Sequence, residues 1–369
     1  MDKIIDKDNF IKNIYPEKCK GYSYTPSIIS NVRRIIVLGD IHGDYKLFIH
    51  MLQLGNLIDT NTKNNKIIWK GGDTYVVQVG DQIDRCRPLP NMACSSQYTT
   101  IDDEASDIKI MNICNDLHKQ ALLVGGAFIS LLGNHEIMNS LGAMTYVSYM
   151  GLKEFDTYID PNNKSIKFIS GEHARKHAFT PGNEIATMMG CTRLPAVIIG
   201  SNLMVHAGIV DGLITELGLN HMNDLETINI SIRMWLMGLL KKKYIKQIIK
   251  SSNTSMFWTR ILGQIPPNVS YDNPVCINHI GKVLQLFNIG SIIIGHTPQS
   301  FSYSDDINQT CSGKVWRVDN GSSSAFDRFD QKKMKSGEIS FSRRPQILEI
   351  LNDNEYYIID EIQRKKINN

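Results

Sequence analysis

The sequence predicts an α/β fold, and three observations carry that prediction. Short apolar runs recur along the chain and are followed by stretches with apolar residues at helical spacing. The most apolar runs each end in a glycine and a short polar signal, the strand–turn–helix rhythm of an α/β domain. The composition, 42% hydrophobic and 21% charged over 369 residues, suits a chain that buries a sizeable core without staples.

The elements follow in order. Residues 1–30, with Pro16 and Pro26, read as an irregular lead-in. Residues 35–38 are a buried strand, and 45–57 a helix with Leu47, Phe48, Met51, Leu52 and Leu54 at helical spacing. Residues 75–79 form a second strand. Residues 108–117 form a helix with Ile110, Ile113, Cys114 and Leu117 on one face, and 128–132 a third strand. The middle is more helical, at 151–160, 182–190 and a long stretch over 224–250, with short strands at 196–199 and 203–205 between them. A helix over 276–287, strands at 292–294 and 315–318, and a closing hairpin of 347–351 with 356–359 complete the chain. The basic stretch 331–344 lacks periodicity and reads as an exposed loop. A domain spanning 31–362 is expected, with residues 140–275 as an insert of helices and loops walling a cleft.

Bulk properties narrow the classes of function. A formal charge of +3 is too small to make nucleic acid or a membrane the main partner. The N-terminus MDKIIDKDNF has no apolar core of a secretory signal, and the most apolar stretch, 121–132, is too short to span a bilayer. Seven cysteines, an odd count without a CxxC, read as unpaired residues of a reducing compartment. The expectation is an intracellular, cytoplasmic protein.

The polar signals carry the chemistry. The strands end in Gly39-Asp40-Ile41-His42-Gly43, Gly80-Asp81-Gln82-Ile83-Asp84-Arg85, Gly133-Asn134-His135-Glu136, His206-Ala207-Gly208 and Gly295-His296-Thr297. In an α/β sheet the loops beyond the carboxyl ends of the strands share one edge, where ligands bind. Asp40, His42, Asp81, Asn134, His206 and His296 therefore converge, offering three imidazoles, two carboxylates and an amide. That is too many donors for one tetrahedral zinc and suits two metal ions sharing a bridging carboxylate. Two ions about 3.5–4 Å apart are the recurring device of phosphoester hydrolysis. Mixed nitrogen and oxygen donors accept manganese, iron or zinc alike.

These motifs, in this order, resemble the calcineurin-like metallophosphoesterases of the phosphoprotein phosphatase type, over roughly residues 35 to 321. Asp44-Tyr45, Leu132, Met138-Asn139 and the run from Gly200 to Gly208 are similar to the Shewanella-like branch. The resemblance implies a central β-sandwich flanked by helices, and hydrolysis of a phosphomonoester by metal-bound hydroxide. It gives Asp40 and His42 to a first metal, Asp81 to both, and Asn134, His206 and His296 to a second. His135 becomes the general acid, with Asp84 beside it; a carboxylate next to an imidazole favours the charged, proton-donating form. Arg85 becomes a phosphate ligand, because a guanidinium offers two parallel hydrogen bonds to its oxygens. Arg260 is the expected second arginine, ahead of Arg193 and Arg233, and Asp319 a supporting residue. Cys86 stands where a glycine is usual, which suggests a thiol near the metals.

The substrate implied is a phosphoprotein, on Ser/Thr or Tyr, or a small phosphoester. One alternative is a nucleotide or dinucleoside-polyphosphate hydrolase, with Tyr146, Tyr149 or Trp258 as base-stacking aromatics. The other is an inactive phosphate-binding module, against which the complete donor set argues. A regulatory subunit is not indicated either way.

Overall fold

The apolar runs pair into two facing sheets in the computed structural model, which describes residues 5–61, 66–328 and 344–367. The strands are β1 (Ile28–Ile29), β2 (Arg34–Leu38), β3 (Ile58–Asn61), β4 (Lys66–Trp69), β5 (Tyr75–Gln78), β6 (Ala127–Leu131), β7 (Arg193–Leu194) and β8 (Ala196–Ile199). They continue as β9 (Asn202–Val205), β10 (Ser291–Ile294), β11 (Asn308–Thr310), β12 (Val315–Arg317), β13 (Ile347–Leu351), β14 (Glu355–Ile359) and β15 (Arg364–Ile367). One sheet has the order β1-β8-β9-β10-β12-β11 and the other β15-β14-β13-β2-β5-β6-β7; β3 and β4 form a separate ribbon.

Period-two alternation sorts the side chains into layers. Ile35, Val37, Val77 and Ile129 from one sheet meet Val197, Met204, Ile293 and Trp316 from the other, forming the sandwich interior. The alternate residues Ile36, Leu38, Val76 and Phe128 face outward onto Phe48, Met51, Ile110 and Leu117 of the helices Tyr45–Leu54 and Asp107–Leu122. Ile198, Leu203, Val205, Ile292 and Ile294 likewise pack on Leu213, Ile228, Ile232 and Ile280 of the helices on the opposite side. The result is the expected central β-sandwich between helical layers. No helix among the described residues is long and apolar enough to cross a membrane.

The parallel pairings decide where the site lies. β2, β5 and β6 run parallel in one sheet, and β9, β10 and β12 in the other. Their carboxyl ends carry the polar signals, so each sheet lifts its set of loops to one edge.

Several expectations need correction. Residues before 30 are not an irregular lead-in. Helical turns occupy Lys7–Asn9, Phe10–Ile14 and Tyr15–Lys18, Phe10 and Tyr15 join the core, and β1 pairs with β8. At the other end, β15 adds a strand beyond residue 362. The long helix expected over 224–250 stops at Leu236, because Gly238 turns into the left-handed region (φ +73°) and packs against Gly182, where any side chain would collide. The cysteines are not unpaired core residues: Cys19–Cys191, Cys86–Cys94 and Cys276–Cys311 are disulfides, and Cys114 is free and buried. Partners 172, 8 and 35 residues apart leave no regular spacing to read. Their number therefore no longer argues for a reducing compartment, and Cys86 offers no thiol. The basic stretch 331–344 lies outside the described residues except for Arg344, which pairs with Asp306.

Candidate active site

Each donor sits just past a strand, where the backbone must turn hard. His42, Asp81, Asp84 and His296 all adopt positive φ, at 50°, 53°, 73° and 66°. Such conformations cost roughly 1–3 kcal/mol each in non-glycine residues and gather at functional sites. Neighbouring glycines make the turns possible. A Cβ on Gly133 would lie 2.1 Å from Asp81 Oδ1, and Gly80 itself sits at φ +98°. Glu136 clamps the arrangement: its buried carboxylate accepts hydrogen bonds from the N–H groups of Asp81, Gln82 and Gly133 at 3.0, 2.8 and 2.6 Å.

The side chains converge as the motifs suggest. Asp81 Oδ2 lies 3.4 Å from His206 Nε2 and 3.8 Å from both His42 Nε2 and His135 Nε2. Two groups of ligand-type atoms result, His42/Asp81/His135 and Asp81/His206/His296, each within 4.8 Å, and Asp81 belongs to both. Asp40 Oδ2 lies 3.8 Å from His42 Nε2 and accepts the His296 N–H at 3.1 Å. Asn134 Oδ1 lies 3.0 Å from His206 Nε2.

The electrostatics fit a cation. Burial, reinforced by Asp319 and Asp81, pushes the Asp40 carboxyl well above its usual range. Burial also opposes ionisation of Asp81, but the surrounding imidazoles, His206 first, outweigh it and hold that carboxyl well below. Burial raises Asp319 to about 6 against the pull of the Gly321 N–H, and Asp319 Oδ2 has no hydrogen-bond partner among the described residues. Three buried carboxylates, one with an unpartnered oxygen, beside a cluster of imidazoles form a donor set suited to divalent ions.

The imidazoles fall into two kinds. His42 Nδ1 faces the Ile83 carbonyl at 3.4 Å, His206 Nδ1 that of Val79 at 2.9 Å, and His296 Nε2 that of Trp258 at 3.2 Å. A carbonyl only accepts, so the nitrogen facing it carries the hydrogen; His42 and His296 then offer a lone pair on the other, while His206 Nε2 itself meets the acceptors Asn134 Oδ1 and Asp81 Oδ2. Burial holds His42 and His296 well below the usual imidazole range, whereas the Asp81 carboxylate overrides burial to raise His206. His135 differs: its Nδ1 lies 2.7 Å from Asp84 Oδ2.

Asp84 is held by partners the motifs did not assign. Asn139 Nδ2 donates to both of its oxygens at 3.0 Å. Arg175, fully buried, reaches Asp84 Oδ1 at 3.3 Å, Asp107 Oδ2 at 2.8 Å and Asn139 Oδ1 at 2.9 Å. Asn139 lies four residues after His135 on one helix, a spacing that places both on one face; nothing local in the sequence points to Arg175.

A cleft of about 910 Å³ opens over these groups, lined among others by Arg87, Asn134, His135, Tyr146, Trp258, Arg260, His296 and Phe326. Tyr146, Trp258 and Arg260 come from the expected insert. The arginines sort differently from expectation. Arg260 is exposed in the cleft and donates to the His296 carbonyl at 3.0 Å. Arg85 is turned away, buried at 2% exposure, and Arg87 faces the cleft instead. Arg193 and Arg233 are buried struts, bonded to Gln82 and Asn115 and to the Gly190 and Cys191 carbonyls.

Comparison with known proteins agrees with this geometry. The model of the calcineurin-like phosphoesterase family matches residues 33–300. A protein of Acanthamoeba polyphaga mimivirus is 38% identical over 66% of this chain and 96% of its own. Shewanella-like protein phosphatase 2 of Arabidopsis thaliana is 27% identical over 79% of this chain and 71% of its own. The crystal structure of a cold-active protein-tyrosine phosphatase from a psychrophilic Shewanella shares the fold, with a TM-score of 0.62 at 18% identity over 94% of this chain and 83% of that one. With donors gathered at the strand ends and a family match across most of its length, the chain belongs to the calcineurin-like phosphoesterases, with relatives in the Shewanella-like phosphatase branch.

Proposed function

We propose that this metal-dependent phosphatase hydrolyses phosphomonoesters of proteins, on Ser/Thr or Tyr, with two divalent ions held by Asp40, His42, Asp81, Asn134, His206 and His296. One observation carries the reading: Asp81 belongs to both groups of ligand-type atoms at the foot of an open cleft, and His135, in the first of them, is paired through its other nitrogen with Asp84. Ions bound there supply Lewis acidity and ionise a water near neutral pH, in manganese, iron or zinc form.

The chain's own residues do the rest. Asp84 engages His135 Nδ1, so Nε2 is the nitrogen turned toward Asp81 and the cleft. From there His135 donates a proton to the departing oxygen, a contribution of roughly 10²–10⁴-fold for a placed acid. Arg260 binds substrate oxygens from the opposite wall. The aromatic lining of Tyr146, Trp258 and Phe326 favours phosphotyrosine as the side chain presented, in keeping with the named activity of the Shewanella fold neighbour.

The same aromatics keep a dinucleoside-polyphosphate hydrolase as the second reading. Turnover of p-nitrophenyl phosphate and of phosphotyrosine, phosphoserine and phosphothreonine peptides, set against diadenosine tetraphosphate with each metal, separates the two. Faster hydrolysis of the peptides is expected; preference for the dinucleotide transfers the assignment to the second reading.

A further inference from the structure

We propose that Arg87 is the guanidinium that grips the phosphoryl oxygens in this cleft, the task that family resemblance assigns to Arg85. The inference rests on the phosphatase reading and names a binding residue within it.

Arg85 is already committed elsewhere. Its Nη1 donates to the Gly43 carbonyl at 3.1 Å and lies 3.3 Å from Glu104 Oε2 and 3.5 Å from Asp44 Oδ1. Its Nη2 donates to the Asp102 carbonyl at 3.2 Å. Swinging it into the cleft strips the Asp44 and Glu104 carboxylates of their cation. The backbone explains the direction. Asp84 at φ 73° reverses the chain just before Arg85 and sends that side chain behind the first motif, bringing Arg87, two residues on, to the cleft side.

Arg87 is a held cation without a paired carboxylate among the described residues. Its Nη1 donates to the carbonyls of Asp84 at 3.2 Å and Cys86 at 2.9 Å. Its guanidinium carbon lies 4.6 Å from the Phe326 ring centroid and 5.6 Å from that of Tyr146. No carboxylate lies within ion-pair distance of it among the described residues. Its Nη2 points to the metal cradle, 2.7 Å from His42 Nε2. The Cys86–Cys94 disulfide ties down the segment that carries it. A partly buried guanidinium held by carbonyls and aromatic faces, next to the cradle and lacking an anion, is built to receive one. A phosphate between Arg87 and Arg260 completes the charge balance that neither arginine finds among the described residues.

The test is calorimetric binding of inorganic phosphate to manganese-loaded protein, with metal content measured in parallel. Arg87→Ala is expected to weaken phosphate binding about tenfold or more while keeping its metal. Arg87→Lys recovers only part of it, because an ammonium lacks the planar fork. Arg85→Lys, which keeps the charge beside Asp44 and Glu104, leaves the phosphate affinity within about twofold. Wild-type affinity in Arg87→Ala, or its loss in Arg85→Lys instead, overturns the proposal and leaves the phosphatase reading standing. A wild type that neither binds phosphate nor hydrolyses p-nitrophenyl phosphate removes the reading itself, and the proposal with it.

Discussion

Two regions meet at His135 and are built on opposite principles. The metal cradle is made of imidazoles that face neutral carbonyls of Ile83, Val79 and Trp258. The region behind His135 is ionic: Asp84, Asp107 and Glu154 gather around the single guanidinium of Arg175. Under the proposed function, the difference follows from the separate tasks of ligand and acid. A ligand needs a lone pair, which a carbonyl on the far nitrogen favours by holding the hydrogen there. An acid needs a proton, which a carboxylate on the far nitrogen favours. The fold separates these tasks by choosing the second partner of each ring.

The comparison can be broken by experiment, beginning with the residue both ligand groups share. Asp81→Asn is expected to empty the cradle and lower turnover by far more than the roughly 100-fold that changes in supporting partners cost. Elemental analysis and p-nitrophenyl phosphate kinetics check it; full metal occupancy in this variant would sink the shared-ligand assignment. His135→Asn comes next, with turnover down by roughly 10²–10⁴-fold and metals retained. If that variant keeps full activity, the proton comes from another group.

Stability measured without metal separates the regions directly. Arg175→Met strands Asp84 and Asp107 in the interior and should cost about 3–5 kcal/mol, whereas His296→Asn loses one carbonyl hydrogen bond and should cost about 1 kcal/mol. Equal losses in urea melts would show that the two regions are not built differently.

An effect confined to one pH range concerns Glu154, whose carboxyl is raised to about 7 by burial and by Asp107, against Arg175. Its folded value exceeds its unfolded one, near 4.5, so the native state binds the extra proton between them. The stabilisation is complete below the unfolded value and is lost as pH climbs through about 7. Glu154→Gln should therefore match the wild type at pH 4 and exceed it at pH 8, by up to about 3 kcal/mol. A constant difference across that range would detach Glu154 from the ionic region.

Much of the cradle was legible because its residues follow strands directly. Asp40, His42, Asp81, Asn134, His206 and His296 each lie within four residues of a strand end, and strands of parallel sheets present those ends at one edge. The ionic region was not legible. Arg175 lies 91 residues from Asp84, on a helix whose own pattern says only that one face is buried. Arg85 and Arg87 were inseparable for a similar reason: both are arginines in one loop, and only the Asp84 turn and the carboxylates of Asp44 and Glu104 decide which faces inward. The cysteine pairs were hidden by their irregular separations.

What the sequence by itself determined is the alternation of strands and helices and the donors placed at the strand ends, because hydrophobic period and motif position are local properties. What only the tertiary structure decided is which partner each of those groups keeps: carbonyl or carboxylate for a histidine, protein anion or open cleft for an arginine, another thiol for a cysteine. Those choices depend on contacts between distant segments, made only when both sheets have packed and burial has put a high cost on every unpaired charge.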